Sequence, residues 1–195
     1  LIGMGIPVVF FNGYYPTLSG TYSVCADNQA GGAELVRHLI DRGHTKIAGY
    51  FKSDDIQGHQ RYSGFISELF RSGLIIPDEN VFWYTTETKE NLFDDPEEVL
   101  KRLGDNTAVV CYNDEVAFGL VKCLLSAGRR VPEDVAVVSF DNSNLSWISQ
   151  VPITSLSYED RNIGRIAAQK LVDILDGRDV SSEVLPWTFI QKESS

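Results

Sequence analysis

Continuous apolar runs and segments of helical period alternate along this chain. Ile6-Pro7-Val8-Val9-Phe10-Phe11 reads as a buried strand closed by Asn12-Gly13, and a second extended piece covers residues 22–26 and ends at Asp27. Residues 30–42 carry Leu35, Leu39 and Ile40 at helical spacing, with Gly43 as the stop. Lys46-Ile47-Ala48-Gly49-Tyr50-Phe51 is the next strand, followed by a polar loop to Gly58 and a helix over 59–71. The second half repeats this grammar. Strands are predicted over 81–84, 108–112, 135–140 and 187–190, and helices after Asp95-Pro96, over 115–127 and over 163–175. Strands that are apolar throughout and separated by helices describe a parallel sheet covered on both faces, so the fold class is α/β.

Composition narrows the function. Lys and Arg number 17 against 27 Asp and Glu, a formal charge of −10. A surface this acidic repels phosphate backbones, so this stretch by itself is not expected to grip DNA or an anionic membrane. The three cysteines, Cys25, Cys111 and Cys123, lie in apolar segments without CxxC spacing and read as buried free thiols in a reducing compartment. No apolar run approaches the roughly 20 residues that span a bilayer. The chain opens on Leu1 and is expected to begin inside a longer protein.

The candidate chemistry is positional. Asp27, Asn113-Asp114 and Asp141-Asn142 each follow an apolar strand, and open α/β sheets bind ligands outside the carboxyl ends of their strands. Each such residue also has the plainer role of capping the next helix or forming a turn. A carboxylate only accepts hydrogen bonds, while an amide accepts and donates, so together they suit a polyhydroxylated ligand. Arg61, ahead of the apolar face of its helix, adds a forked donor for two neighbouring oxygens, or else is a surface cation. Tyr14, Tyr15, Trp83, Tyr84 and Trp147 stand near loop ends, where they stack on a sugar ring or simply pack. The nucleophile-elbow, phosphate-loop, dinucleotide and HExxH patterns are all missing from the sequence. His38, His44 and His59 are scattered, and Asp54-Asp55 reads as a solvated pair on a polar loop. No catalytic residue, cofactor or metal is therefore assigned, and an enzyme is the weaker reading.

Several motifs occur together in one order. They are Leu39-Ile40-Asp41-Arg42-Gly43-His44-Thr45-Lys46-Ile47-Ala48, Arg61-Tyr62-Ser63-Gly64-Phe65, Cys111-Tyr112-Asn113-Asp114-Glu115-Val116-Ala117-Phe118-Gly119, Val131-Pro132-Glu133-Asp134-Val135 and Ser139-Phe140-Asp141. The whole resembles the effector domain of LacI-type bacterial repressors. Phe51-Lys52-Ser53-Asp54-Asp55-Ile56-Gln57-Gly58 and Thr85-Thr86-Glu87-Thr88-Lys89 are similar to the arabinose-utilisation repressors, which join a GntR-type winged-helix head to such a domain.

The resemblance implies a fold like that of periplasmic sugar-binding proteins: two Rossmann-like lobes with the effector in the cleft. The lobes would be residues 1–43 plus 158–179, the first lobe being incomplete, and residues 44–157 plus 180–195. It implies Arg61, Asn113 and Asp141 as sugar-contacting residues, with Asp27 and Tyr158 bordering the pocket. Tyr15 and Glu87 follow from the arabinose subgroup. It further implies a neutral monosaccharide, L-arabinose foremost, as effector. The remaining implications are operator DNA bound through a head outside this chain, a homodimer, and a cytoplasmic location. A sugar-binding protein of a transport system, outside the cytoplasm, shares the fold and is the second reading.

Overall fold

The computed structural model describes residues 1–75, 77–158 and 162–195. In chain order the first elements are β1 (Val8–Phe11), β2 (Thr21–Ala26), α1 (Asn28–Asp41), β3 (Ile47–Lys52), α2 (Ile56–Arg71) and β4 (Val81–Tyr84). Then come α3 (Pro96–Leu103), β5 (Ala108–Cys111), α4 (Asp114–Ser126), β6 (Ala136–Phe140) and α5 (Asn144–Ile148). The last are β7 (Thr154–Ser157), α6 (Ile163–Leu175), β8 (Glu183–Leu185) and β9 (Thr188–Ile190). Two compact units result, Leu1–Asp27 with Tyr158–Trp187, and Asn28–Ser157 with Thr188–Ser195.

The smaller unit is a three-stranded parallel sheet of order β1-β2-β8, against which α6 packs. The larger unit holds a six-stranded sheet of order β4-β3-β5-β6-β7-β9. Its strands are parallel apart from β9, which runs antiparallel to β7 and so departs from an all-parallel expectation. The central strands β5 and β6 are buried along their whole length, which is why they read as unbroken apolar runs. Alternate residues serve alternate faces. Tyr50, Val109, Cys111 and Val137 join Phe82, Val99, Leu103, Leu120 and Leu124 in one core, while Phe51 meets Phe65 of α2.

Helices α1 and α2 cross with their backbones in contact. A Cβ on Gly32 would lie 2.3 Å from the Arg61 carbonyl oxygen, and one on Gly64 would lie 2.0 Å from that of Gln29. Neither obstacle is a side chain that can rotate away, so both positions need glycine. This crossing corrects the domain boundaries expected from sequence. Residues 28–43 belong with the larger unit because α1 lies on α2, and residues 180–187 belong with the smaller because β8 pairs with β2.

Strand β7, helix α5 and strand β8 are absent from the sequence reading. Thr154-Ser155-Leu156-Ser157 carries hydroxyls at three of its positions yet is wholly buried. The C-terminal residues explain part of this. Ser194 Oγ accepts the Thr154 N–H at 2.9 Å and donates to the Val137 carbonyl at 2.5 Å, so the tail is built into the fold. All three cysteines are free and buried, and burial pushes each thiol above its ordinary range.

Candidate functional site

The larger unit gathers polar groups at the carboxyl ends of β3, β5 and β6. Arg61 is 2% exposed, not a surface cation. Its Nε donates to Asn28 Oδ1 at 3.0 Å, its Nη2 donates to Asp141 Oδ1 at 3.2 Å, and its Nη1 donates to the Tyr112 carbonyl. The guanidinium also stands 4.3 Å from the Phe140 ring centroid and 4.8 Å from that of Tyr112. This charge therefore acts through Asp141 and Asn28 as well as through any group it meets directly.

Asp141 and Asn113 end neighbouring strands, which lie about 4.8 Å apart in a sheet. The Asp141 side chain keeps 30% of its surface exposed and offers acceptor oxygens beyond its bond to Arg61. Asn113 caps α4, its Oδ1 accepting the Val116 N–H at 3.1 Å. That is the plain helix-capping role, and it leaves the two amide N–H donors outside the cap. The two neighbouring strand ends thus carry an acceptor and a donor side chain.

The loop that carries Asp141 is held at each backbone N–H. Asp141 donates to the Leu156 carbonyl at 2.8 Å, Asn142 to Ser155 Oγ at 3.0 Å and Ser143 to Asp114 Oδ2 at 2.5 Å. Asp114 is 1% exposed and also accepts hydroxyl bonds from Ser155, at 2.7 Å, and from Ser139. Burial pushes its carboxyl above the usual range, and the serine donors oppose that shift.

A second cluster closes the end of β3. Asp55 caps α2 through the Gly58 N–H at 2.7 Å and accepts the Tyr112 hydroxyl at 2.7 Å. Asp54 accepts the Thr86 N–H at 2.9 Å, and Lys52 Nζ lies 3.3 Å from Asp54 and 3.2 Å from Asp55. These carboxylates keep contact with solvent, Asp54 being exposed and Asp55 half-buried, and they also tie loops together. Glu87 is exposed in the turn that Asp54 holds.

The other expected residues lie in the smaller unit. The Asp27 N–H donates to the Leu185 carbonyl at 2.8 Å, and its own carbonyl accepts the Trp187 indole N–H at 2.9 Å. Tyr158 packs edge-on against Trp187, with ring centroids 5.3 Å apart, and its hydroxyl accepts from Asn12 Nδ2 at 3.5 Å. Tyr15 is 63% exposed and stands edge-on to Phe10. Asn28 and Lys192 are not among the residues expected from sequence, since nothing local marks them, and Asp114, expected at its strand end beside Asn113, is buried as a partner of the Asp141 loop.

Among the described residues no group of three or more His, Cys, Asp and Glu side chains is placed to hold a metal ion. Nor is any of their helices long and apolar enough to cross a membrane.

Comparison with known proteins places this arrangement. Residues 36–195 match the family model described as a periplasmic binding protein-like domain. An arabinose metabolism transcriptional repressor of Halalkalibacterium halodurans is 36% identical over 177 residues, 88% of this chain and 46% of that protein. Its counterpart in Geobacillus stearothermophilus is 34% identical over 183 residues, 92% of this chain and 50% of that protein. Among solved structures, a complex of the transcriptional regulator CelR with cellobiose superposes with a TM-score of 0.88 at 30% identity. That match covers 98% of this chain and 59% of the CelR chain. The chain spans about half the length of the repressors it matches.

Proposed function

We propose a function for this chain, which belongs to the periplasmic binding protein-like domain family: it is the sugar-sensing effector domain of a bacterial transcriptional repressor. The observation that carries the reading is the Arg61–Asp141 pair, buried on one side and open on the other, with Asn113 following the neighbouring strand. The names of the similar repressors support a regulator rather than an enzyme. They also make L-arabinose the first ligand to test. Arg61 is committed to Asn28, Tyr112 and Asp141, so the exposed part of the cluster favours a neutral sugar over a sugar phosphate.

Such a sugar controls DNA only through different affinities for the DNA-bound and released arrangements, and that difference sets the size of the response. Operator contacts are assigned to a separate DNA-binding head, in keeping with the charge of −10 here. A homodimer in the cytoplasm completes the proposal. Asp27, Tyr158, Tyr15 and Glu87 are assigned to the sugar on the family resemblance, and their alanine variants test each assignment.

Calorimetric titration with L-arabinose and with arabinose 5-phosphate is the decisive experiment. The expected result is tighter binding of the neutral sugar, with Arg61→Ala weakening it at least tenfold, about 1.4 kcal/mol. Tighter binding of the phosphate overturns the neutral-ligand assignment, and an unchanged affinity in the variant removes Arg61 from the site. A response only to another sugar keeps the sensor and discards arabinose.

A further inference from the structure

The Asp141-Asn142 turn has positive φ at two successive non-glycine residues, 95° and 46°. L-residues hold such a backbone where their surroundings over-determine it. Two charged groups supply that constraint from different elements. On one side Asp114, at the start of α4, takes the Ser143 N–H directly and reaches the Asn142 N–H through Ser155 Oγ. On the other, Lys192 comes from the C-terminal tail. Its ammonium donates to Asn142 Oδ1 at 2.7 Å, Ser146 Oγ at 2.8 Å and the Ile153 carbonyl at 2.9 Å. That is as many acceptors as an ammonium has hydrogens. The Trp147 ring centroid lies 4.3 Å from the same nitrogen.

We infer that Lys192 and Asp114 are positioning residues of the sugar site, clamping the Asp141-Asn142 turn so that the Asp141 carboxylate stays aimed at Arg61 and at the ligand. The inference rests on the reading of Asp141 as a sugar-contacting group. Lys192 and Asp114 act through Asp141, so their effect on binding disappears once that carboxylate is gone. A merely structural role would persist.

The test is a double-mutant cycle of Lys192→Met and Asp141→Ala, read by L-arabinose titration. Lys192→Met is expected to weaken binding about fivefold, and to add nothing in the Asp141→Ala background. Equal weakening in both backgrounds, or none in the wild type, overturns the clamp. If Asp141→Ala leaves affinity unchanged, the sugar-site reading falls, and a second measurement that needs no sugar judges the clamp. In Lys192→Met the amide protons of Asn142 and Ser143 should exchange about tenfold faster while those of Val109 and Val137 stay put. Unmoved Asn142 and Ser143 amides overturn it. Ser155→Ala, which cuts the path from Asp114 to the Asn142 N–H, runs the same cycle should the lysine variant fail to fold.

Discussion

Two aspartates at the strand ends of one sheet make the same kind of bond with opposite electrostatic results. Asp114 accepts the Ser143 N–H at 2.5 Å and Asp54 accepts the Thr86 N–H at 2.9 Å. Asp114 is 1% exposed, and burial pushes its carboxyl up against the pull of its serine donors. Asp54 is exposed, and the Thr86 donors, with Lys52 adding to them, hold it down at about 2. Inside the fold, desolvation outweighs hydrogen bonding, and on the surface the hydrogen bonds prevail. Asp114 therefore fixes geometry at an electrostatic cost, whereas Asp54 ties two loops together with little cost.

The largest expected effect comes from removing the buried acceptor altogether. Asp114→Ala strands the Ser143 N–H and the hydroxyls of Ser139 and Ser155 in the interior. Each unsatisfied group costs roughly 1–3 kcal/mol, and the serine hydroxyls recover part by rotating, so the loss should be about 4 kcal/mol. Urea unfolding measures it. A loss under about 1 kcal/mol would mean that water replaces the carboxylate, and the contrast with Asp54 would then vanish.

Asp114→Asn sharpens the comparison through pH. The folded state raises the Asp114 pKa, so between the unfolded value, about 3.9, and the folded one the native protein binds more protons than the unfolded chain. The Asp114 contribution to stability is thus full below the unfolded pKa and declines as pH rises through the folded pKa. The asparagine lacks this slope. Its deficit relative to wild type, about 2 kcal/mol for the mismatched amide, should be larger at pH 3.5 than at pH 7. A deficit that grows with pH would show that the serine donors outweigh burial.

What was legible in the sequence follows the same division between local and distant causes. Strands β3, β5 and β6 announce themselves because both faces are dry, and Asn113 and Asp141 because they end such strands. Strand β7 escaped because Thr154 and Ser155 look polar until Ser194, Lys192 and Asp114 supply their partners from 38 to 41 residues away. Arg61-Tyr62-Ser63-Gly64-Phe65 was legible as a motif, but its two separate reasons were not. Arg61 holds Asp141, and Gly64 admits the backbone of α1. Lys192 carries no local signal at all. Its importance lies in acceptors 39 to 50 positions earlier.

The smallest effect belongs to the exposed partner in the comparison. Asp54 has its folded pKa depressed to about 2, below an unfolded value of about 3.9. Its contribution is present above the unfolded value and lost as pH falls towards 2, the reverse of Asp114. Asp54→Asn should therefore flatten the acid side of a melting-temperature profile slightly and leave the region above pH 6 with a uniform, small offset. Solvent screening keeps both changes minor, and added salt should shrink the Lys52 part of them first. A substantial loss at pH 7 that salt does not reduce would instead mean that the Thr86 bond is structurally essential. The loop bearing Glu87 would then be held as firmly as the one bearing Asp141.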